Sequence, residues 1–83
     1  MDFVKGQLVR SKQGRDRNRT FAVMAVEGQM LYLADGSLRR IERPKAKKTR
    51  HVAPTATVLQ GESLANDKQL NEAIRIYDAA HPI

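Results

Sequence analysis

Residues 21–34 read FAVMAVEGQMLYLA, which is two apolar runs on either side of a short polar turn. In residues 21–26 apolar side chains occupy both alternating positions of an extended chain, and residues 30–34 repeat this pattern. Runs of six and five residues are too short for an ordinary helix, and they contain β-branched and aromatic residues. The stretch therefore predicts an antiparallel hairpin that other residues cover on both faces.

Further strand signals lie on both sides of this hairpin. Strands are expected at residues 4–12 and 38–41, and residues 52–59 fit either a fifth short strand or an extended segment. Asp35-Gly36 predicts a tight turn from the strand at residues 30–34 into the strand at residues 38–41, because both positions of such a turn need positive φ. Residues 45–51 follow Pro44 and are rich in lysine and arginine, so they are expected to form a basic connector rather than a strand.

Residues 68–80 change to a helical period. Leu70, Ala73, Ile74 and Tyr77 recur at spacings of three and four and form one apolar stripe, which is expected to cover the outside of the hairpin. Small antiparallel sheets remove their exposed edges by curling into barrels. The sequence therefore predicts a mainly β fold, a barrel of four or five antiparallel strands with a C-terminal α-helix. Residues 1–59 would form the barrel and residues 60–83 a linker and the helix, in one domain.

The net charge is concentrated in the first part of the chain. Fifteen Lys and Arg residues against nine Asp and Glu give +6, with an isoelectric point of about 10.2. Residues 1–53 hold 13 basic and 5 acidic residues, so they carry +8, whereas residues 54–83 hold 2 and 4 and carry −2. A polyanion is therefore expected to bind the first 53 residues. The alternative is a basic surface that serves only solubility.

Several function classes have no support in the sequence. The chain has no cysteine, which excludes a disulfide framework, a thiolate metal site and a cysteine nucleophile. Neither His51 nor His81 has the spacing of a metal site, and no catalytic or nucleotide-binding motif is present. We therefore expect no enzymatic activity and no cofactor. No apolar run is long enough to span a membrane and residues 1–5 lack a signal-peptide pattern, so the expected compartment is the cytoplasm.

The first basic cluster surrounds the loop at residues 13–20. Gly14 accepts positive φ and allows the backbone to approach a phosphate, and arginine offers a planar fork that matches phosphate oxygens. Asp16 is interpreted as balancing the charge of its two arginine neighbours. In an extended loop, alternate arginines would point the same way. The residues expected to contact RNA here are Arg10, Lys12, Gly14, Arg15, Arg17, Asn18 and Arg19.

The second basic cluster follows the predicted hairpin, and it is expected to track an RNA backbone and become ordered on contact. Its members are Arg39, Arg40, Arg43, Lys45, Lys47, Lys48 and Arg50. The alternative is a flexible, solvated connector. Tyr32 and Tyr77 lie at core-like positions, so aromatic stacking platforms are not expected. The sequence thus predicts recognition of structured RNA by its shape and phosphate geometry.

Residues 6–23 resemble a KOW motif, in which two strands flank a basic loop with a central glycine, here Gly14. Val9, Phe21 and Val23 match the apolar framing positions. Together with residues 31–45, the stretch is similar to small bacterial KOW-domain RNA-binding proteins related to archaeal and eukaryotic large-subunit ribosomal proteins. The resemblance covers about residues 4–58. It implies an SH3-like barrel that docks on structured ribosomal RNA of the large subunit, with ribosomal proteins as further partners. The protein would be ribosome-associated in the cytoplasm and a monomer when free.

A second function remains open at this point. KOW domains also occur in transcription elongation factors, where the barrel contacts proteins. On that hypothesis the chain is a protein-interaction module of the transcription or translation machinery. Its exposed face would be the helix stripe or residues 52–59.

Overall fold

The computed structural model describes residues 2–83 and contains five strands and one α-helix. These are β1 (Gln7–Ser11), β2 (Thr20–Glu27), β3 (Met30–Ala34), β4 (Lys45–Lys48), β5 (Val52–Val58) and α1 (Asp67–Ala80). The strands form one antiparallel sheet in the order β4-β3-β2-β1-β5. The chain is therefore a small, mainly β domain with a C-terminal helix, as the sequence predicts. Within residues 2–83, no helix has the length and apolar character needed to cross a bilayer.

The central hairpin of β2 and β3 forms where the sequence predicts it. Ala22 pairs with Ala34, and the register shifts by one residue between Val23 and Ala25. The first half of β2 is buried on both faces, but Ala25 and Val26 are exposed. The prediction of two-sided cover is thus confirmed at one end of the hairpin and wrong at the other, because α1 covers β2 at Ala22 and leaves the turn uncovered.

The sheet separates two apolar layers. One layer lies on the face away from the helix and consists of Val9, Phe21, Val23, Leu31, Leu33 and Val52. The other lies between the sheet and α1 and consists of Leu8, Ala22, Ala34, Leu70 and Ile74. Adjacent strand residues point to opposite faces, so each central strand contributes to both layers. Each fully buried leucine contributes about 1.5–3 kcal/mol to folding. The predicted helix stripe is therefore confirmed as core.

A side-chain cap fixes the start of the helix. Asn66 is the N-cap, and its side-chain Oδ1 accepts a hydrogen bond of 2.8 Å from the backbone N–H of Gln69. This bond satisfies one of the backbone donors that the first helical turn leaves without a partner.

The predicted strand at residues 38–41 is wrong. Asp35 Oδ1 accepts hydrogen bonds of 2.9 Å from the backbone N–H groups of Ser37 and Arg39, so the chain turns into an irregular loop instead of a tight hairpin. Short polar side chains compete in this way with strand pairing. The fourth strand is instead β4, which pairs with β3 and lies within the predicted connector.

The sheet curls strongly. β4 and β5 stand at opposite ends of the strand order, yet only a 3-10 turn, Thr49–His51, connects them. In a flat sheet these strands would be about 19 Å apart, whereas the connection spans at most about 14 Å even when fully extended. Curling brings the two edge strands towards each other.

Candidate nucleic-acid interface

The basic loop between β1 and β2 is a compact turn, not an extended segment. Gly14 and Asn18 have φ values of 87° and 73°, in the left-handed region that glycine and asparagine tolerate best. The N–H of Arg17 donates to the carbonyl of Gly14, and the N–H of Asn18 donates to that of Ser11. The alternation expected for the arginines of an extended loop therefore does not apply.

Asp16 anchors this loop to the sheet. Its carboxylate accepts hydrogen bonds from Lys45 Nζ at 2.7 Å, Lys47 Nζ at 2.8 Å and Ser11 Oγ at 2.7 Å. Burial of the carboxylate raises its pKa, but the bonds from Lys45, Lys47 and Ser11 outweigh that effect and hold the pKa well below its usual range. The ion-pair partners of Asp16 are thus lysines of β4, not the adjacent arginines that the sequence suggests.

The two β4 lysines are therefore tied into the fold. Lys47 is only 8% exposed, and its ammonium also donates to the carbonyl of Gln13 at 2.7 Å and to Ser11 Oγ at 2.5 Å. An ammonium has three donors, so Lys47 uses its full capacity inside the protein. Lys45 is more exposed, with 32% of its side chain accessible beside its Asp16 bond.

The loop between β3 and β4 is held as firmly as the first. Asp35 is 1% exposed, and Arg19 Nη2 donates to its Oδ2 at 2.9 Å. Asn71 Nδ2 on the helix donates to the Asp35 carbonyl at 3.2 Å, and Asp67 Oδ1 accepts from the N–H of Ile41 at 2.8 Å. Arg19 thus connects the two loops through a buried carboxylate.

A groove of about 360 Å³ lies between the two loops. Its lining is Arg15, Asp16, Arg19, Phe21, Leu38, Arg39 and Lys45. We call it the basic groove. A neighbouring concavity of about 490 Å³ shares Leu38 and Arg39 with it and adds Arg40, Glu42 and Arg43. The fold therefore brings members of both predicted clusters, which lie 20 or more residues apart in sequence, to one surface.

Arg10 lies elsewhere and contacts the C-terminal helix. Its guanidinium donates to Thr20 Oγ1 at 3.3 Å and to the carbonyl of His81, and it lies 3.6 Å from Asp78. It also lies over the ring of Tyr77, 5.4 Å from the centroid. Arg10 therefore docks the end of α1 on the sheet, a role that the sequence prediction did not assign.

A third group of cations surrounds His51. Lys12, Lys48 and Arg50 are exposed, and the backbone N–H of Lys12 donates to the His51 carbonyl at 2.8 Å. Desolvation lowers the pKa of His51, and the charges of Arg50, Lys47, Lys48 and Lys12 lower it further. We call Lys12, Lys48, Arg50 and His51 the His51 cluster. Its electrostatics are those of a site that favours an anion.

The remaining predicted contacts are placed as follows. Arg17 is exposed in the first loop, whose turn depends on Gly14 and Asn18. Five arginines of the two clusters are exposed and lie outside the four ion pairs found among residues 2–83. These are Arg15, Arg17, Arg39, Arg40 and Arg43. Within the same residues, no group of three histidine or carboxylate side chains is arranged to hold a metal ion.

Sequence reasoning missed two residues of this surface. The sequence predicts Leu38 in a strand, but its side chain is 71% exposed between arginines. It predicts Asp35 in a turn, but the Asp35 carboxylate is a buried hydrogen-bond acceptor. The only local signal was the Asp-Gly pair, which indicates a turn without indicating what the side chain binds. No protein-family model matches the chain, and no curated protein matches it, so the KOW resemblance stays a prediction.

Proposed function

We propose that this chain is a non-enzymatic RNA-binding protein that docks on structured ribosomal RNA through the basic groove. The observation that carries the proposal is the meeting of Arg15, Arg19 and Arg39 around one concavity, which Lys45 also lines while it pairs with Asp16. Guanidinium groups on two firmly held loops form a preorganised set of forks for phosphate oxygens. The large-subunit RNA, ribosomal proteins as neighbours and a cytoplasmic, ribosome-associated location are proposed on the KOW resemblance.

We also propose that the curled sheet is an SH3-like barrel of the KOW type. The three-residue connection between the edge strands supports closure. Further support comes from Lys47 on β4, which contacts Ser11 on β1 although a flat sheet would separate those strands by about 14 Å.

The charges divide into binding and structural roles. The exposed arginines of the groove and the His51 cluster face solvent and are assigned to phosphate contacts. Lys47 and Arg10 are assigned to the fold, because the first is buried around Asp16 and the second docks α1. The proposed interface is therefore smaller than the full set of basic residues in the two clusters.

The protein-interaction hypothesis depends on an exposed apolar face. Leu70 and Ile74 of the helix stripe are buried against the sheet, so the stripe is not free to dock a partner. The other face named for this hypothesis, residues 52–59, contains the edge strand β5, and Val58 is the large apolar side chain exposed there, at 41%. Several exposed arginines meet at the basic groove, so the geometry favours the RNA hypothesis.

Salt dependence of binding tests the proposal. Purified protein is titrated with ribosomal RNA fragments at several salt concentrations. Engagement of about six phosphates gives a log-log slope of roughly −4 to −5. Arg15→Ala and Arg39→Ala should each weaken binding to all fragments and reduce the slope by about 1. Lys68→Ala, an exposed lysine on the helix outside the groove, is the matched control. A slope near zero, or an equal effect of Lys68→Ala, would overturn the proposal.

A further inference from the structure

The loop between β3 and β4 presents an apolar side chain at the centre of a basic surface. Leu38 is 71% exposed, and it lines both the basic groove and the neighbouring concavity. Arg39 is shared by the same two hollows, and Arg15 lies across the groove. If the protein bound an RNA duplex only through its phosphates, the exposed Leu38 side chain would have no apolar group to contact. The surface therefore complements a ligand group that is apolar and has negative charges next to it.

The exposure of Leu38 is not a consequence of a loosely held loop. Asp35 accepts the backbone N–H groups on either side of Leu38, from Ser37 and from Arg39, at 2.9 Å. Gly36 lies so close to the helix that a Cβ there would stand 2.2 Å from the Asp67 carbonyl oxygen. Leu38 is therefore fixed in an outward position by interactions on both sides.

We infer that Leu38 is the contact for an unpaired RNA base, with the arginines of the groove binding the phosphates next to it. A base that is extruded from an RNA helix exposes an apolar face, and phosphates lie on both sides of it along the strand. Leu38 would contact the face of the base, and the arginines would contact the phosphates. Bulges and loops of RNA expose bases that proteins stack on aromatic side chains or arginine guanidinium groups, and leucine is one of the apolar side chains that insert between base steps of DNA. The inference rests on the proposed function and narrows its ligand to RNA that contains a bulge or loop nucleotide.

A comparison within the molecule supports the choice of residue. Ile76 is similarly exposed, at 63%, but it lies on α1 and lines neither concavity. It therefore serves as the matched control for removing an exposed apolar side chain. Leu38→Ala removes no buried contact of either core layer, so the variant is expected to fold, and thermal unfolding by circular dichroism checks this.

The experiment compares two RNA hairpins that differ only in whether one adenosine is bulged or paired. The wild-type protein should bind the bulged hairpin about tenfold more tightly, which is near the lower end of what an aromatic side chain provides for one stacked base. Leu38→Ala should reduce the preference to about twofold without changing the salt slope. Leu38→Phe should retain or increase the preference, and Ile76→Ala should leave it unchanged. With 2-aminopurine at the bulge, fluorescence should change on binding to wild type and change less with Leu38→Ala.

The outcomes separate this inference from the proposed function. Equal, salt-dependent binding of both hairpins by wild type overturns the base contact and leaves phosphate binding standing. A bulge preference that survives Leu38→Ala also overturns it. Absence of salt-dependent binding to either hairpin overturns both.

Discussion

Asp16 and Lys47 lie 31 residues apart in sequence, yet Asp16 Oδ1 and Lys47 Nζ are joined by an ion pair of 2.8 Å. Their side chains are only 11% and 8% exposed. The pair connects the β1–β2 loop to β4, and two strands, β3 and β2, lie between β4 and β1 in the strand order. The Asp16–Lys47 ion pair therefore stabilises both the conformation of the basic loop and the curled shape of the sheet.

Removing the charge of Asp16 should destabilise the whole domain. Asp16→Asn leaves Lys47 buried without a counter-ion, and breaking one side of a buried pair costs about 3 kcal/mol or more. The free energy of unfolding, measured in urea at neutral pH, should fall by that amount. Glu62→Gln, an exposed acid outside the ion pairs found here, should leave it unchanged. Equal stabilities of Asp16→Asn and wild type would contradict the anchoring role.

The contribution of Asp16 should also depend on pH. Its pKa in the folded protein lies below the ordinary value of 3.8, so the stabilisation is fully present above 3.8 and is lost as the pH falls through the lowered pKa. The stability difference between wild type and Asp16→Asn should therefore shrink in acid. A difference that grows on acidification would be inconsistent with this sign.

Arg10 and Lys12 should separate folding from binding, although both were predicted to contact RNA. Arg10 contacts Tyr77 and Asp78 of the helix, so Arg10→Ala should lower the free energy of unfolding by about 1 kcal/mol. Lys12 is exposed in the His51 cluster, so Lys12→Ala should change stability by less than about 0.5 kcal/mol but weaken RNA binding. Chemical unfolding and RNA titration on both variants check this, and a reversed pattern would refute the assignment.

Replacing Gly36 with alanine should destabilise the protein more than the same replacement at Gly28. Both have positive φ, 76° and 57°, which costs an alanine about 1 kcal/mol. A Cβ on Gly36 would also meet the Asp67 carbonyl oxygen at 2.2 Å, whereas a Cβ on Gly28 would have no neighbour within 4 Å among residues 2–83. Gly36→Ala should therefore cost about 3 kcal/mol in unfolding free energy, and Gly28→Ala only the smaller amount. Similar losses for the two variants would rule out the close approach as the cause.

The elements that the sequence predicts correctly are those whose own pattern of apolar residues indicates which side chains are buried. The strand prediction at residues 30–34 matches β3 in both bounds, and the helix prediction at 68–80 differs from α1 by one residue. Apolar alternation and the stripe at Leu70 and Ile74 are local signals of a two-layer core. These patterns can be recognised without knowing which residues from distant parts of the chain pack against them.

The failures lie where a distant partner decides the structure. Lys45–Lys48 has almost no apolar residue, and its inward lysines are accommodated in a strand because Asp16 binds them. Residues 38–41 look like a strand, but Asp35 takes the backbone donors. The basic residues of the site were predictable from charge density, whereas the division into exposed and structural cations was not. That division follows from which acids the fold buries beside them.

His51 should report RNA binding through its protonation. Desolvation keeps the pKa of His51 in the folded protein below 6.5, and the surrounding positive charges lower it further. These charges belong to Arg50, Lys47, Lys48 and Lys12. Neutral His51 therefore contributes stability above 6.5 that is lost as the pH falls through the lowered pKa. A bound polyanion offsets the four positive charges, so it should raise the pKa of His51. At a pH between the free and bound pKa values, His51 should therefore take up a proton when RNA binds.

RNA affinity should then increase as the pH falls through the interval between the free and bound pKa values of His51. An NMR titration of the His51 ring protons, with and without an RNA hairpin, measures both values. Lys12→Ala should raise the free value towards 6.5, and Lys68→Ala on the helix should not move it. If RNA that binds the protein leaves the His51 pKa unchanged, the phosphates do not reach this cluster, and the interface is restricted to the basic groove and its neighbouring concavity.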